Sequence, residues 1–204
     1  MSFLDISVDF FEENDNEITA RIQKFFQIEN GDEFNQTALY TGLQNATHIL
    51  TPSFCFENEK TIADYDLSTF IGPCEVIELK EPYITGDLIN RYFSKFAKKL
   101  LIKSTQNIEF MPGAADDLAF CGYELIGFDK NINLEIDKIN THRALMRDGC
   151  VLLKNLDLSE VESGEYFLFS SVLKLGKTEA SPTRAILFTE YINWPPRKDE
   201  PLYF

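Results

Sequence analysis

The second half of the chain alternates helical patterns with short apolar segments, and this alternation restricts the fold more than any other feature of the sequence. The segments "ELIGFD" (124–129) and "CVLLKNL" (150–156) have the length and composition of buried strands. A helical pattern precedes each of them: "PGAADDLAFCG" (112–122), which Gly122 stops, and "IDKINTHRALMRDG" (136–149). Strands that alternate with helices pair in parallel. The sequence therefore predicts an α/β fold.

Further elements extend this pattern on both sides. The segment "TGDLINRYFSKFAKK" (85–99) places its apolar residues on one helical face, with Thr85 as the N-cap, and the strand "LLIKS" (100–104) follows. Two later segments are rich in the aromatic and β-branched residues that favour strands: "GEYFLFSSVLKL" (164–175) and "SPTRAILFTEY" (181–191).

The first sixty residues are less informative. The segment "NEITARIQKFFQI" (16–28) alternates Ile18, Ala20 and Ile22 as a strand does, although it also fits a helix. We predict a strand there.

The charge of the chain narrows the range of its partners. Its 204 residues fit a single domain (1–204), and 33 acidic against 19 basic residues give a net charge of -14. Nucleic acids and anionic membranes bind clustered Lys and Arg, so we expect neither as a partner. The basic cluster "KFAKKLLIK" (95–103) is predicted to lie where a helix runs into a strand.

The chain has no pattern typical of export or membrane insertion. It begins without a basic region followed by an apolar stretch, and no apolar run approaches the ~20 residues that span a bilayer. Its cysteines are widely spaced and form no CxxC motif: Cys55, Cys74, Cys121 and Cys150. We therefore expect a cytoplasmic protein with reduced thiols.

Common catalytic motifs are absent from the sequence. There is no glycine-rich phosphate loop and no GxSxG motif. A catalytic pair of Cys55 or Cys150 with His48 or His142 is a minor alternative. Two histidines without an acidic ligand make a poor zinc site, because zinc takes three or four protein ligands.

Six ordered blocks nevertheless resemble the cyclase family that includes bacterial kynurenine formamidase and isatin hydrolase. They are "LDISVDF", "NATHILTPSF", "LSTFIGPCEVIELK", "FMPGAADDLAFCGYELIGFD", "THRALMRDGCVLLKNLDLSEVESGEYFLFSSVLKL" and "EASPTRAIL". The resemblance spans nearly the whole chain. It implies a swivelling β/β/α-like fold, with a mixed sheet or barrel-like core flanked by helices, and a homodimer or homotetramer with its site near the subunit interface.

The family's metal motif has the form H-x-G-T-H-x-D-x-P-x-H, with a further His and Glu, and holds zinc or manganese that activates water. In the matching segment "QNATHILTPSF" (44–54), the family's Thr, second His and Pro are Thr47, His48 and Pro52. Its first His, Gly, bridging Asp and last His are replaced by Gln44, Ala46, Leu50 and Phe54. Downstream, His142 matches the ligand His and Lys154 replaces the ligand Glu.

This resemblance implies a site in which most metal ligands are lost, so we expect no metal cofactor. The expected catalytic groups are His48, His142 and Lys154, and the expected pocket residues are Gln44, Leu50, Phe54 and Asp129. Asp129 is expected to orient His142, and Arg184 to pair with a carboxylate near the core or the subunit interface.

Several functions follow from this residue set. The first is a pseudoenzyme or altered-function homologue that keeps a pocket for a small molecule. The second is a metal-independent cyclase, isomerase or hydrolase that acts on a small carbonyl compound through Lys154 and the histidines. The third is an arylformamidase-like hydrolase with a reduced metal site, such as His48, His142 and Cys55. The fourth is a module that stabilises a partner, such as an active paralogue.

Overall fold

The computed structural model describes residues 2–11, 20–93 and 97–189. The strands are β1 (Phe3–Asp5), β2 (Arg21–Phe26), β3 (Gln36–Tyr40), β4 (His48–Leu50), β5 (Ile71–Glu78), β6 (Tyr83–Ile84), β7 (Lys99–Lys103), β8 (Ile108–Phe110), β9 (Leu125–Asp129), β10 (Ile132–Asn133), β11 (Val151–Leu156), β12 (Gly164–Val172) and β13 (Ala180–Phe188). The helices are α1 (Gly86–Tyr92), α2 (Pro112–Ala119) and α3 (Lys138–Met146).

A closed barrel of seven strands forms the centre of the molecule. The strands follow the order β13, β12, β5, β7, β9, β11 and β4, and β4 pairs with β13 to close the barrel. Neighbours among β5, β7, β9 and β11 run parallel, whereas the other pairs in the ring are antiparallel. These findings confirm the predicted α/β class and its barrel-like core.

The alternation of side chains along the strands separates two apolar layers. Val151 and Leu153 of β11 point into the barrel, where they pack with residues from every other strand of the ring. Leu152 points outward and packs with side chains of α1, α2 and α3. Gly127 lies inside the barrel in contact with Leu101 and Leu156, where a Cβ would clash with both side chains. The barrel interior is therefore apolar and tightly filled, and the outer layer faces the helices.

Most predicted elements are confirmed, but the first helix is shorter than predicted. It begins after Thr85, whose side chain makes no cap hydrogen bond, and ends at Tyr92 because the backbone of Phe93 is extended. Lys99, placed at the end of that helix by the sequence pattern, lies instead in β7. Residues 94–96 lie outside the described residues.

The strand predicted within residues 16–28 is confirmed as β2, although Ile18 lies outside the described residues. Strands β2 and β3 form a two-stranded ribbon that is separate from the barrel sheet. A small parallel sheet of β6, β8 and β10 flanks the barrel. Within the described ranges, no helix has the length and apolar character needed to cross a bilayer.

Candidate active site

The outer face of the barrel brings His48 and Lys154 together. Strand β4 runs antiparallel to β11, and the two residues are direct partners in that pairing. Because side chains alternate along a strand, His48 lies on the same face as Leu50, which packs with the outer apolar layer. Helix α3 covers this layer and carries the buried His142. The barrel and α3 thus enclose the site between them.

A bulge after Lys154 shapes this part of β11. The register with β9 shifts between Leu153 and Leu156, and Asn155 has a φ of 61°. The Thr47 hydroxyl donates to the Asn155 carbonyl oxygen at 2.6 Å, which ties the bulge to the segment before β4. Next to it, Ala46 has a φ of 50°, a conformation that favours glycine, which is the residue that the family resemblance implies here.

Both histidines carry their proton on Nδ1, which leaves a lone pair on Nε2. The Nδ1–H of His48 donates to the Ala46 carbonyl at 2.8 Å, and that of His142 donates to the Lys138 carbonyl at 2.6 Å. Burial lowers the pKa of His48 to about 3. Burial and the nearby Lys154 ammonium lower the pKa of His142 to about 4. At neutral pH both rings are therefore uncharged bases.

Lys154 lies between His142 and a carboxylate. Its Nζ is 3.5 Å from Nε2 of His142 and 3.7 Å from Oε1 of Glu135. The other carboxylate oxygen of Glu135 pairs with Nζ of Lys138 at 2.9 Å. Burial lowers the pKa of Lys154, and the Glu135 carboxylate opposes this effect. The arrangement offers a positive group and a neutral base side by side.

A cleft of about 840 Å³ opens beside this cluster. Four of the residues named from the family resemblance line it, Gln44, His48, Asp129 and Lys154, whereas the fully buried His142 does not. The expected role of Asp129 is not observed, because its carboxylate accepts hydrogen bonds from the backbone N–H groups of Asn131 and Leu158. Asp129 therefore fixes the ends of β9 and β11, and a backbone carbonyl orients His142 instead.

Two expected pocket residues lie elsewhere. Leu50 lies two residues after His48 in β4. It is buried in the outer apolar layer and does not line the cleft. The ring of Phe54 packs against the ring of His142, with centroids 5.3 Å apart, and faces a separate groove. These two side chains support His142 and the core.

The thiols are not placed for catalysis with a histidine. Cys55 Sγ lies 3.9 Å from the sulfur of Met146, and Cys150 Sγ contacts the carbonyl oxygen of Val151. Burial raises the pKa of both thiols, which disfavours the thiolate. These contacts and raised pKa values give no support to the alternative of a Cys–His pair.

Arg184 pairs with a carboxylate, as expected. Its Nε and Nη2 donate to Oδ2 of Asp5 at 2.9 and 2.6 Å. The guanidinium is exposed on the outside of β13 and lies away from the core. The pair joins β1 to β13.

The donor set does not fit a divalent metal. The Nε2 lone pair of His142, which would coordinate the ion, faces the ammonium group of Lys154 at 3.5 Å. Among the residues that the structure describes, no group of three or more His, Cys, Asp or Glu side chains is placed to hold a metal. Zinc takes three or four such ligands, and an ammonium repels a cation.

The sequence patterns did not identify Glu135 and Lys138 as part of this cluster. Lys138 lies four residues before His142, so its carbonyl meets the imidazole one helical turn later. Glu135 and Lys138 are three residues apart and form an ion pair at the start of α3. The spacing of three residues between Glu135 and Lys138 is the one indication of this ion pair that the sequence contains.

The amino-acid sequence is similar to those of known kynurenine formamidases. A kynurenine formamidase of Paracidovorax citrulli is 30% identical over 173 residues, which cover 76% of this chain and 80% of the relative. A kynurenine formamidase of Delftia acidovorans is 29% identical over 170 residues, 77% of this chain and 81% of the relative. No family model matches the chain.

A solved structure has the same fold. A "predicted metal-dependent hydrolase" from Bacillus stearothermophilus superposes with a TM-score of 0.78 at 23% identity, covering 91% of this chain and 97% of that one. Identity, coverage and the shared barrel together place this chain in the kynurenine formamidase family of cyclase-related hydrolases.

Proposed function

We propose that this protein has lost the metal site of its family and binds a small molecule in the cleft, with Lys154 as the fixed positive group. The observation that carries the proposal is the Lys154 ammonium, 3.5 Å from the Nε2 lone pair of His142. In the family resemblance, His142 holds a metal ligand position and Lys154 replaces a ligand carboxylate. An ammonium beside a neutral imidazole still attracts oxygen atoms of a ligand.

Elemental analysis tests this proposal directly. The protein, purified without a chelator or an affinity tag and then incubated with zinc and manganese, is expected to hold far less than one metal ion per chain. The variant Lys154→Glu is the matched reference, since it returns a carboxylate to the position of one of the family's ligands, and it is expected to retain more zinc. Near-stoichiometric metal in the unmodified protein would restore a metal-dependent hydrolase.

A second candidate function is metal-independent catalysis on a small carbonyl compound. The cleft wall supports it, because it carries a cation, Lys154, and a neutral base, His48, which are direct partners in the pairing of β4 with β11. Turnover of an ester or amide panel by metal-free protein is expected to disappear in Lys154→Met. Turnover unchanged by that variant would exclude this function, and a role as a partner-binding module would then be preferred.

We also propose that the chain forms a homo-oligomer through the ribbon of β2 and β3. An isolated two-stranded ribbon is marginal in water, and this one exposes apolar side chains that a partner surface would cover. They are Ile22, Phe25, Phe26, Leu39 and Tyr40. Light scattering is expected to give at least a dimer for the unmodified chain and a monomer for Phe25→Glu. Leu67→Glu, an equally exposed position outside the ribbon, is expected to leave the mass unchanged.

A further inference from the structure

The carboxylate of Glu135 bridges two lysines at the mouth of the cleft. Its Oε2 is 2.9 Å from Nζ of Lys138, and its Oε1 is 3.7 Å from Nζ of Lys154. Each oxygen therefore meets a different ammonium group. We call the two ammonium groups of Lys138 and Lys154 the lysine clamp.

The partners in this bridge differ in burial. The side chain of Lys154 is 19% exposed, whereas that of Glu135 is 52% exposed. The backbone N–H of Glu135 donates to Oδ1 of Asn133 at 2.8 Å, so the backbone is held while the carboxylate faces solvent. Rotation of one side chain would uncover the clamp without moving a strand or helix.

We propose that the lysine clamp is a carboxylate-binding subsite, that Glu135 occupies it as an internal substitute, and that the natural ligand displaces Glu135 with its own carboxylate. This inference rests on the proposed small-molecule function of the cleft. Two ammonium groups bridged by the two oxygens of one carboxylate already show the geometry that a bound ligand carboxylate would adopt.

The surroundings favour a single carboxylate over a phosphate. Nε2 of His142 is an acceptor beside Lys154, so it would repel an additional anionic oxygen. Glu109 and Asp129 also line the cleft, which limits the negative charge that it accepts. Asn107, Asn131 and Asn133 are among the other lining residues, and polar, uncharged residues suit a polar, uncharged ligand body.

Occupation by Glu135 lowers the apparent affinity of the ligand. Only the fraction of molecules in which Glu135 has left the clamp is able to bind, and the apparent dissociation constant increases by the reciprocal of that fraction. Removing the carboxylate of Glu135 should therefore strengthen binding of any ligand that uses the clamp. Removing a different carboxylate of the same cleft should not.

Propionate is a suitable probe, and propionamide is its uncharged counterpart. Binding is followed by two-dimensional NMR at constant chloride and pH 7, with protein whose metal content has been measured. Glu135→Gln is expected to bind propionate about tenfold more tightly than the unmodified protein. Glu109→Gln removes the same charge from the same cleft and is expected to change the affinity about twofold or less. Lys154→Met is expected to abolish binding, and propionamide should not bind any variant.

Equal affinities of Glu135→Gln and Glu109→Gln would overturn the inference, because the gain would then reflect net charge alone. Binding that survives in Lys154→Met would also overturn it. The metal measurement on the same samples separates failure of this inference from failure of the proposed function. Metal-rich protein contradicts the proposed function. Metal-free protein that does not bind propionate contradicts only the lysine clamp as a carboxylate-binding subsite.

Discussion

Lys103 and Lys154 are both largely buried lysines in parallel strands of the barrel, but their surroundings differ. Lys103 lies at the end of β7, where its Nζ donates to the carbonyl oxygens of Val161 and Ser159 at 2.6 and 3.2 Å. Lys154 faces the cleft, where its partners are the side chains of Glu135 and His142. Backbone carbonyls neither titrate nor rotate away. A lysine that faces the cleft and pairs with the half-exposed carboxylate of Glu135 is therefore available to a ligand, whereas Lys103 is part of the framework.

The largest expected effect is a loss of stability in acid, and it arises from the two buried histidines near Lys154. His48 and His142 have pKa values lowered by burial to about 3 and about 4, below the ~6.5 of the unfolded chain. Between these pH values the unfolded chain binds more protons than the folded chain does. The free energy of unfolding is therefore highest above pH ~6.5 and decreases as the pH falls. From pH 7 to pH 5 the two rings should reduce the free energy of unfolding by about 3–4 kcal/mol.

Urea denaturation at pH 7, 6 and 5 measures this decline. His142→Gln removes one of the two groups, so it should lose about half of the histidine contribution relative to the unmodified protein. Parallel pH profiles for the two proteins would mean that His142 is protonated equally in the folded and unfolded states.

The next effect concerns Lys103. Lys103→Met leaves the carbonyls of Ser159 and Val161 without their donor, and the free energy of unfolding should fall by about 2–3 kcal/mol. Lys98→Met is the matched control, because Lys98 forms an exposed pair with Glu124, and it should cost less than about 1 kcal/mol. Equal losses in the two variants would contradict a framework role for Lys103.

The smallest effect is expected for Lys154→Met. The substitution removes a partly desolvated charge and fills similar volume, so stability should change by less than about 1 kcal/mol. Denaturation under the conditions used for Lys103→Met gives the comparison directly. A loss as large as that of Lys103→Met would mean that Lys154 also belongs to the framework.

Local patterns were sufficient where one physical effect dominated. Strands β9 and β11 are mainly apolar segments of strand length, and the structure has both close to their predicted bounds. The end of α1 was missed because the apolar spacing continues beyond it, while pairing with Leu125 of β9 draws Lys99 into β7. Tertiary pairing of this kind has no local signature.

The site was predictable only in part for a similar reason. The family resemblance pointed to Gln44, His48 and Lys154, and these three residues line one cleft. It could not separate His48 from Leu50, which share one face of β4 but differ in depth beneath the helices. Glu135 was missed because a charged residue before a helix usually faces solvent, and its bridge to Lys154 depends on how α3 lies against β11.

The closure of the barrel by β4 also sets the order in which the protein can assemble. Strand β4 pairs with β11 and β13, both far later in the chain, so His48 meets Lys154 only after most of the polypeptide has been synthesised. Contacts of such long sequence separation form slowly, and until then the edge of β4 is unpaired. During translation the nascent chain would thus pass through a stage with an open barrel and no cleft, when chaperones would be most needed.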